Sequence, residues 1–560
     1  MDRNLIKLKP GLKPGFLTHP YVLAGLVPAC FFLVFYFYPL AGIFYKSFFG
    51  TGKFDPGFLL KGVFSARMGR VIWFTFWQAA VSTFLTLACA LPCALVLSSY
   101  RFRGKGFIKT MASIPFVLPA VVVAAAFQAC FGENALFFAF RIKNPLVLIF
   151  MAHVFYNFSV MLRIITGFRS SIQGRITEAA RVLGAGPFRV FIHVTLPLLK
   201  PAILASCALV FIFCFSSFGI IMILGGPCIS TIEVEIYRQA AHLFNLPLAS
   251  FLSLIQIVIT FALMWVYTSF AGRAARFTPD AEHINLKKPV LIWEKAVTAI
   301  TIIFIGILCI MPLAALVAQS FSLDGKLSFA FYKALFVNTS DSIFYIPPFN
   351  AVKFSVLFAA AALVIALFTG VCAALFIRFC DRSVRAAWAV VLDPVFMLPL
   401  STSAVTLGFG IIITLDKPPL NLRTSIFLVP IAHALVGFPF VVRAVLPALR
   451  AIPDSMADAA AMLGASPLKI FKMIDLPLIS RALAAGAVFA FTISLGEFGA
   501  TIFTARPDTP TIPIAIYRFL GQPGEMNYGQ AMAVSTLLMV VTALGFAVIE
   551  KFRKESSEGF

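Results

Sequence analysis

The sequence predicts an all-α polytopic membrane protein. About 12 transmembrane helices fall into two six-helix halves, parallel to each other and related by a pseudo-two-fold axis along the membrane normal. Three observations carry this. Hydrophobic residues are 60% of the 560-residue chain and charged residues only 12%, against roughly 45–50% and about 25% in soluble domains. Apolar runs of about 20 residues recur, long enough for helices and too long for barrel strands. One polar pattern is written twice, 280 residues apart.

The runs lie at roughly 21–45, 71–99, 107–131, 144–168, 201–223 and 249–270, then at 295–320, 352–377, 386–413, 425–447, 482–504 and 528–550. The first follows Arg3, Lys7, Lys9 and Lys13, as a signal peptide would. It exceeds the roughly 7–15 residues of a signal core, so it reads as a retained span. With the N-terminus in the cytoplasm, 30 of the 45 Lys and Arg residues fall in inner segments, the bias expected of membrane sidedness. That bias explains most of the net charge of +22 and excludes a nucleic-acid reading. The ten cysteines are scattered and read as small apolar fillers. Six spans per half return the chain to its starting side, which makes the repeats parallel.

The repeated pattern is Glu178-Ala179-Ala180, Gly184, Val194, Leu196-Pro197 in the first half. In the second it is Asp458-Ala459-Ala460, Gly464, Ile474, Leu476-Pro477. The offset holds elsewhere: Phe74 with Phe354, Leu118-Pro119 with Leu398-Pro399, His153 with His433, and Ile236-Tyr237-Arg238 with Ile516-Tyr517-Arg518. Ser466-Pro467 is a good helix start, a capping hydroxyl followed by proline at the first helical position; Gly186-Pro187 serves in the first copy. Short amphipathic helices follow over Pro187 to Thr195 and Pro467 to Asp475. Their apolar face carries Phe188, Phe191 and Ile192, or Leu468, Phe471 and Ile474. Leu196-Pro197 and Leu476-Pro477 are expected to break them before the next span. Such helices could lie on lipid headgroups. Two copies at equal positions favour docking into two equivalent sites on a symmetric partner.

These residues resemble the EAA loop of bacterial ABC importer permeases. The first copy carries the family's Glu-Ala-Ala, Gly and Leu-Pro; the second departs at Asp458, which keeps the charge. The resemblance implies a type I importer fold, with Phe188, Phe191, Leu468 and Phe471 on coupling helices that fit the ATP-binding subunit. The chain is similar to the fused permeases of the iron(III) and thiamine uptake group. Ala152-His153-Val154-Phe155-Tyr156-Asn157 and Cys214-Phe215-Ser216-Ser217-Phe218 are closer to the thiamine branch. The expected units are 1–70 (N-terminus, first span and outer loop), 71–270 (first permease domain), 271–294 (linker), 295–351 (seventh span and outer loop), 352–550 (second permease domain) and 551–560 (tail). Implied partners are two copies of an ATP-binding subunit, an extracytoplasmic solute-binding protein and the lipid of the bacterial inner membrane. Both termini are expected to be cytoplasmic.

No Gly-x-x-x-x-Gly-Lys-Ser/Thr loop is present, and Gly104-Lys105-Gly106 lacks its spacing. No cofactor is therefore expected on this chain, and ATP and Mg belong to the partner subunits. No nucleophile–base or metal-ligand constellation is seen, so no catalytic or metal residue is assigned. Pathway candidates are Ser216, Ser217, Phe218, Glu497, Phe498, His153, Asn157 and His433. An ionisable Glu497 inside a span faces a cavity or a partner. A lone intramembrane histidine more often bonds across helices, worth ~0.6–2 kcal/mol. The solute reads as thiamine or its phosphates, with iron(III) as the alternative. A rival class is an ion-coupled transporter relaying protons through Glu497, His153 and His433; a third is a scaffold that moves no solute.

Overall fold

A computed structural model describes residues 20–49, 65–132, 135, 141–171, 174–276, 287–337, 347–382, 386–416 and 420–557. Among them, ten helices are long and apolar enough to cross a membrane, and two bent helix pairs bring the number to 12 if each pair is one span. They fall where the apolar runs place them. Part of the linker, 277–286, lies outside the described residues.

Four spans depart from the expected straight helices. The third is Lys105–Val117 plus Ala120–Phe131, bent by 105°, and the ninth is Val391–Ser401 plus Ala404–Thr414, bent by 92°. In the third, Leu118 is extended (ψ 140°) ahead of Pro119, the conformation that a following proline enforces. The ninth passes through the equivalent Pro399 inside its helix and breaks at Ser403, whose hydroxyl caps Val405 N. The fifth and eleventh spans end early, at Phe215 and Gly496, and short helices Gly219–Leu224 and Thr501–Thr504 follow the breaks. The helices Ile232–Tyr237 and Ile512–Leu520 then turn back into the fold. One bond fixes both: Ile232 N donates to Thr75 Oγ1 at 3.1 Å, and Ile512 N to Ser355 Oγ at 2.7 Å. A two-stranded hairpin, Ser322–Leu323 with Lys326–Leu327, is the one pair of β-strands among the described residues, beside a single bridge between Tyr100 and Lys287.

The two halves are fastened by exchanged helices. Phe32 and Tyr36 of the first span join the core of the second half, and Tyr36 Oη bonds Thr402 Oγ1 at 2.7 Å. Conversely, Ile305 and Cys309 of the seventh span lie in the first half's core. Small residues set the close approaches. A Cβ on Gly408 would sit 2.7 Å from the backbone of Ala500; backbone does not yield. Gly306, in the helix Ile292–Ser320, has open space. Gly408→Ala is expected to cost about 1–3 kcal/mol and Gly306→Ala to be neutral or stabilising by up to ~1 kcal/mol, read as thermal midpoints in detergent.

Candidate functional site

The two polar repeats fold alike. In the first, the helix Gly174–Val182 is followed by a turn, the one-turn helix Pro187–Val190 and a π segment Phe191–Thr195. The second runs Asp454–Met462, turn, Pro467–Ile470, π segment Phe471–Asp475. Gly184 and Gly464 end the first helix of each with φ of +84° and +79°. Gly184 N donates to Arg181 O and Ala185 N to Ala180 O; Gly464 N to Ala461 O and Ala465 N to Ala460 O. This closes the orphan carbonyls of a helix end, and it needs a left-handed residue. Neither glycine has a neighbour in the way of a Cβ, so conformation alone selects glycine here. Ser466 Oγ caps Lys469 N as expected.

The expected helix break at Leu196-Pro197 and Leu476-Pro477 does not occur. Each short helix runs on into the next span, over Phe188–Phe215 and Pro467–Gly496. Leu196 N reaches back five residues to Phe191 O, and Leu476 N to Phe471 O. Proline lacks an N–H and its ring collides with the carbonyl four residues earlier; one wide π turn makes room without ending the helix. The first span does the same, with a π segment Leu33–Phe37 ahead of Pro39.

The repeats leave apolar side chains in the open. Val182 is 88% exposed, Leu183 86% and Phe188 73%; their equivalents Met462, Leu463 and Leu468 are 89%, 89% and 61%. Ala179, Asp458 and Ala459 are also exposed, and Ala180 and Ala460 half-buried. Glu178 lies on the helix Gly174–Val182. The supposed single apolar face is split: Phe188, Ile192 and Leu468 point out, while Phe191, Phe471 and Ile474 are half-buried. Two matching apolar patches of this kind mark interaction surfaces.

At the breaks of the fifth and eleventh spans, the halves meet. Phe218 stacks on Phe498 with ring centroids 5.3 Å apart. Tyr237 and Tyr517 lie together on the wall of one cavity. Both pairs join residues 280 apart, as contacts on a two-fold axis do. Ring contacts tie the two layers, edge-on from Phe218 to Tyr237 at 5.9 Å and tilted from Phe498 to Tyr517 at 5.5 Å; Tyr237 also meets Phe503 edge-on at 5.6 Å. This double aromatic layer closes the axis. A cavity of about 300 Å³, lined by Gln128, Met222, Tyr237, Arg238, His242 and Tyr517, lies against it. Ile236 and Ile516 are fully buried, and Arg238 and Arg518 form the accessible rim of these segments.

A family model described as "Binding-protein-dependent transport system inner membrane component" matches residues 59–276 and 366–553. The chain belongs to this permease family. The permease carries the domain twice, has the type I importer fold and is itself no enzyme. It is 25% identical over 527 residues to a thiamine transport system permease protein of Brucella abortus, covering 91% of this chain and 92% of that protein. The Escherichia coli protein of the same description is 25% identical over 509 residues, covering 86% and 88%. A probable ABC transporter permease of Sinorhizobium fredii is 24% identical over 511 residues, covering 86% and 87%.

The remaining candidates of the permease divide into bridges and axis groups. His153 bonds Ser82 Oγ and Ser217 Oγ, both at 2.9 Å. His433 bonds Ser494 Oγ and Thr501 Oγ1, both at 2.7 Å. Both rings are buried with both nitrogens engaged, so they pin helices together. Asn157 donates to His153 O and Cys214 Sγ, and Ser216 to Ile212 O. Glu497 Oε1 accepts Ala500 N at 2.7 Å and stays partly exposed beside Phe498. Glu233 and Glu235 are not among the pathway candidates named from the sequence. Glu233 is buried and accepts Gln256 Nε2 at 2.6 Å. Glu235 is buried with Gln239, Ser230, Arg67 and Arg238 around it. The signal was two acids inside the apolar run Thr231-Ile232-Glu233-Val234-Glu235-Ile236, costly in the same way as Glu497.

Removing one ring of the Phe218–Phe498 stack removes about 0.5–1.5 kcal/mol. Phe498→Ala is therefore expected to raise the labelling rate of a Ser217→Cys probe by an impermeant thiol reagent roughly two- to tenfold, in a background without accessible native cysteines. An unchanged rate would remove the stack from the gate.

Proposed function

We propose that this permease moves thiamine or its phosphates inward by alternating access, driven by two copies of a separate ATP-binding subunit. The supporting observation is the pair of exposed apolar patches, Val182-Leu183-Phe188 and Met462-Leu463-Leu468, each behind a left-handed glycine. They offer equal sockets 280 residues apart, which a symmetric pair of subunits would fill. In this reading both sockets and both chain termini face the cytoplasm, and a solute-binding protein delivers the solute at the opposite face. ATP and Mg stay on the partner subunits.

The chain transmits rather than generates the motion. Each short helix is continuous through its π turn with the span that ends at the aromatic layer, Phe188–Phe215 or Pro467–Gly496. A push on the socket is therefore carried along one rigid helix to the residue next to Ser216 or Glu497. Closure of the sockets parts the Phe218–Phe498 and Tyr237–Tyr517 layers; their return shuts the outer face behind the solute. Named relatives transport thiamine, and thiamine carries a cationic ring. Aromatic faces beside Glu497 suit such a ring.

The test is reconstitution of the permease with its ATP-binding subunit and binding protein in liposomes, with labelled thiamine outside. ATP-dependent uptake is expected. Gly184→Val with Gly464→Val costs roughly 1–2 kcal/mol of left-handed strain at each site, so uptake and ATPase co-purification are expected to fall about tenfold or more. Normal uptake with normal co-purification would exclude the sockets from coupling. ATP-dependent uptake of another solute with none of thiamine would exclude the substrate alone.

A further inference from the structure

The two sockets are fastened to their halves in different ways. In the second half, Arg378 Nη1 meets Asp475 Oδ1 at 2.8 Å, with side chains 7% and 4% exposed. Arg378 Nη2 also donates to Ile452 O at 3.4 Å. One guanidinium thus ties the eighth span, Pro348–Arg382, to the end of the tenth and to the π turn of the short helix. Arg382 pairs with Asp454, the first residue of the helix that precedes Gly464. Arg450 Nε pairs with Asp381 Oδ2 at 2.9 Å. Tyr21 Oη of the first span donates to Pro467 O at 3.5 Å.

At the equivalent positions, the first half has Ser98 for Arg378, Phe102 for Arg382, Gly174 for Asp454 and Thr195 for Asp475. None carries a charge. Among the described residues, Ser98 Oγ bonds within its own helix, to Ala94 O and Leu95 O. The cores differ likewise. Ile474 packs on the main core of the second half with Leu449, Ile452 and Ile479. Among the described residues, Phe168, Leu199 and Ala202 near the first socket form a separate small cluster.

We propose that the second half is the stiff lever of the permease and that Arg378 and Asp475 are its positioning residues; the first socket is a compliant one. This rests on the reading that the sockets receive the ATP-binding subunits. A buried ion pair with a third bond on the guanidinium fixes one geometry, and losing one member strands a buried charge. Exchanging both members for Ser and Thr, the first half's own choice, strands none. The pair therefore sets how much of each ATPase stroke reaches the aromatic layer, not whether the ATPase binds.

The experiment compares wild type, Arg378→Lys and the double variant Arg378→Ser with Asp475→Thr, each with its ATPase in liposomes. The readout is labelled solute imported per ATP hydrolysed, alongside ATPase co-purification and thermal midpoint. The double variant is expected to keep co-purification and ATPase rate while solute per ATP falls about tenfold. Arg378→Lys keeps the charge pair and is expected to stay within about twofold of wild type. Wild-type solute per ATP in a folded double variant would overturn the proposal. Failure of the wild type to hold its ATPase would overturn the socket reading instead. Should the double variant not fold, amide exchange of the unaltered complex decides: slower exchange across 454–475 than across 174–195 is expected, and equal exchange would overturn the proposal.

Discussion

A side chain at a two-fold axis meets its own equivalent across it, and the permease is organised around two such meetings. Phe218 stacks on Phe498, and Tyr237 lies beside Tyr517. The rest of the architecture brings these four side chains to the axis. The fifth and eleventh spans stop at Phe215 and Gly496 so that the next residues can turn inward. The bends of the third and ninth spans give them room: Pro119 packs where a Cβ on Gly496 would be, and Ala404 and Val405 pack against Gly499. The exchanged first and seventh spans then hold the halves at the separation the ring stack requires.

Breaking a helix inside a membrane exposes backbone groups that water cannot reach, and four of the helix starts here are supplied with a side-chain partner. Thr75 and Ser355 hydroxyls receive the first N–H of the two re-entrant helices. The Glu497 carboxylate receives Ala500 N, and Ser403 caps its own half-helix. The prolines near the sockets are handled more cheaply. A π turn ends two residues before Pro39, Pro197 and Pro477 alike, and it preserves a continuous rod. Continuity matters to the mechanism, because a flexible hinge at Leu196-Pro197 would absorb the displacement it is meant to carry.

Much of this was legible in the residues. Composition and run length gave the spans, and the 280-residue offset paired the axis residues before any contact was known. Gly184 and Gly464 were readable as helix ends because the reason for them is local. The misreadings arose where a local rule meets a tertiary remedy. Pro197 and Pro477 usually stop helices, and nothing local announces that a π turn will carry one through. Leu398-Pro399 matches Leu118-Pro119, yet the chain bends later, at Ser403, where a capping hydroxyl is available. Glu233 has Pro513 as its equivalent, so the repeat gives it no support as a site residue. The histidines were found by symmetry, but their partners are not symmetric: Ser82 and Ser217 for one, Ser494 and Thr501 for the other.

Duplication fixed the frame, and divergence then gave the halves different work. Arg378, Arg382, Asp454 and Asp475 of the second half correspond to Ser98, Phe102, Gly174 and Thr195 in the first, and Glu497 stands where the first half has Ser217. The account joins socket to gate by two rigid helices, and that linkage is open to direct measurement. Spin labels at Val182 and Met462 report the sockets; labels at Gly226 and Arg506 report the face beyond the aromatic layer. With ATP-binding subunits present, ATP trapping is expected to shorten the first distance and lengthen the second together. A shortened socket distance with the second distance unmoved would contradict the linkage.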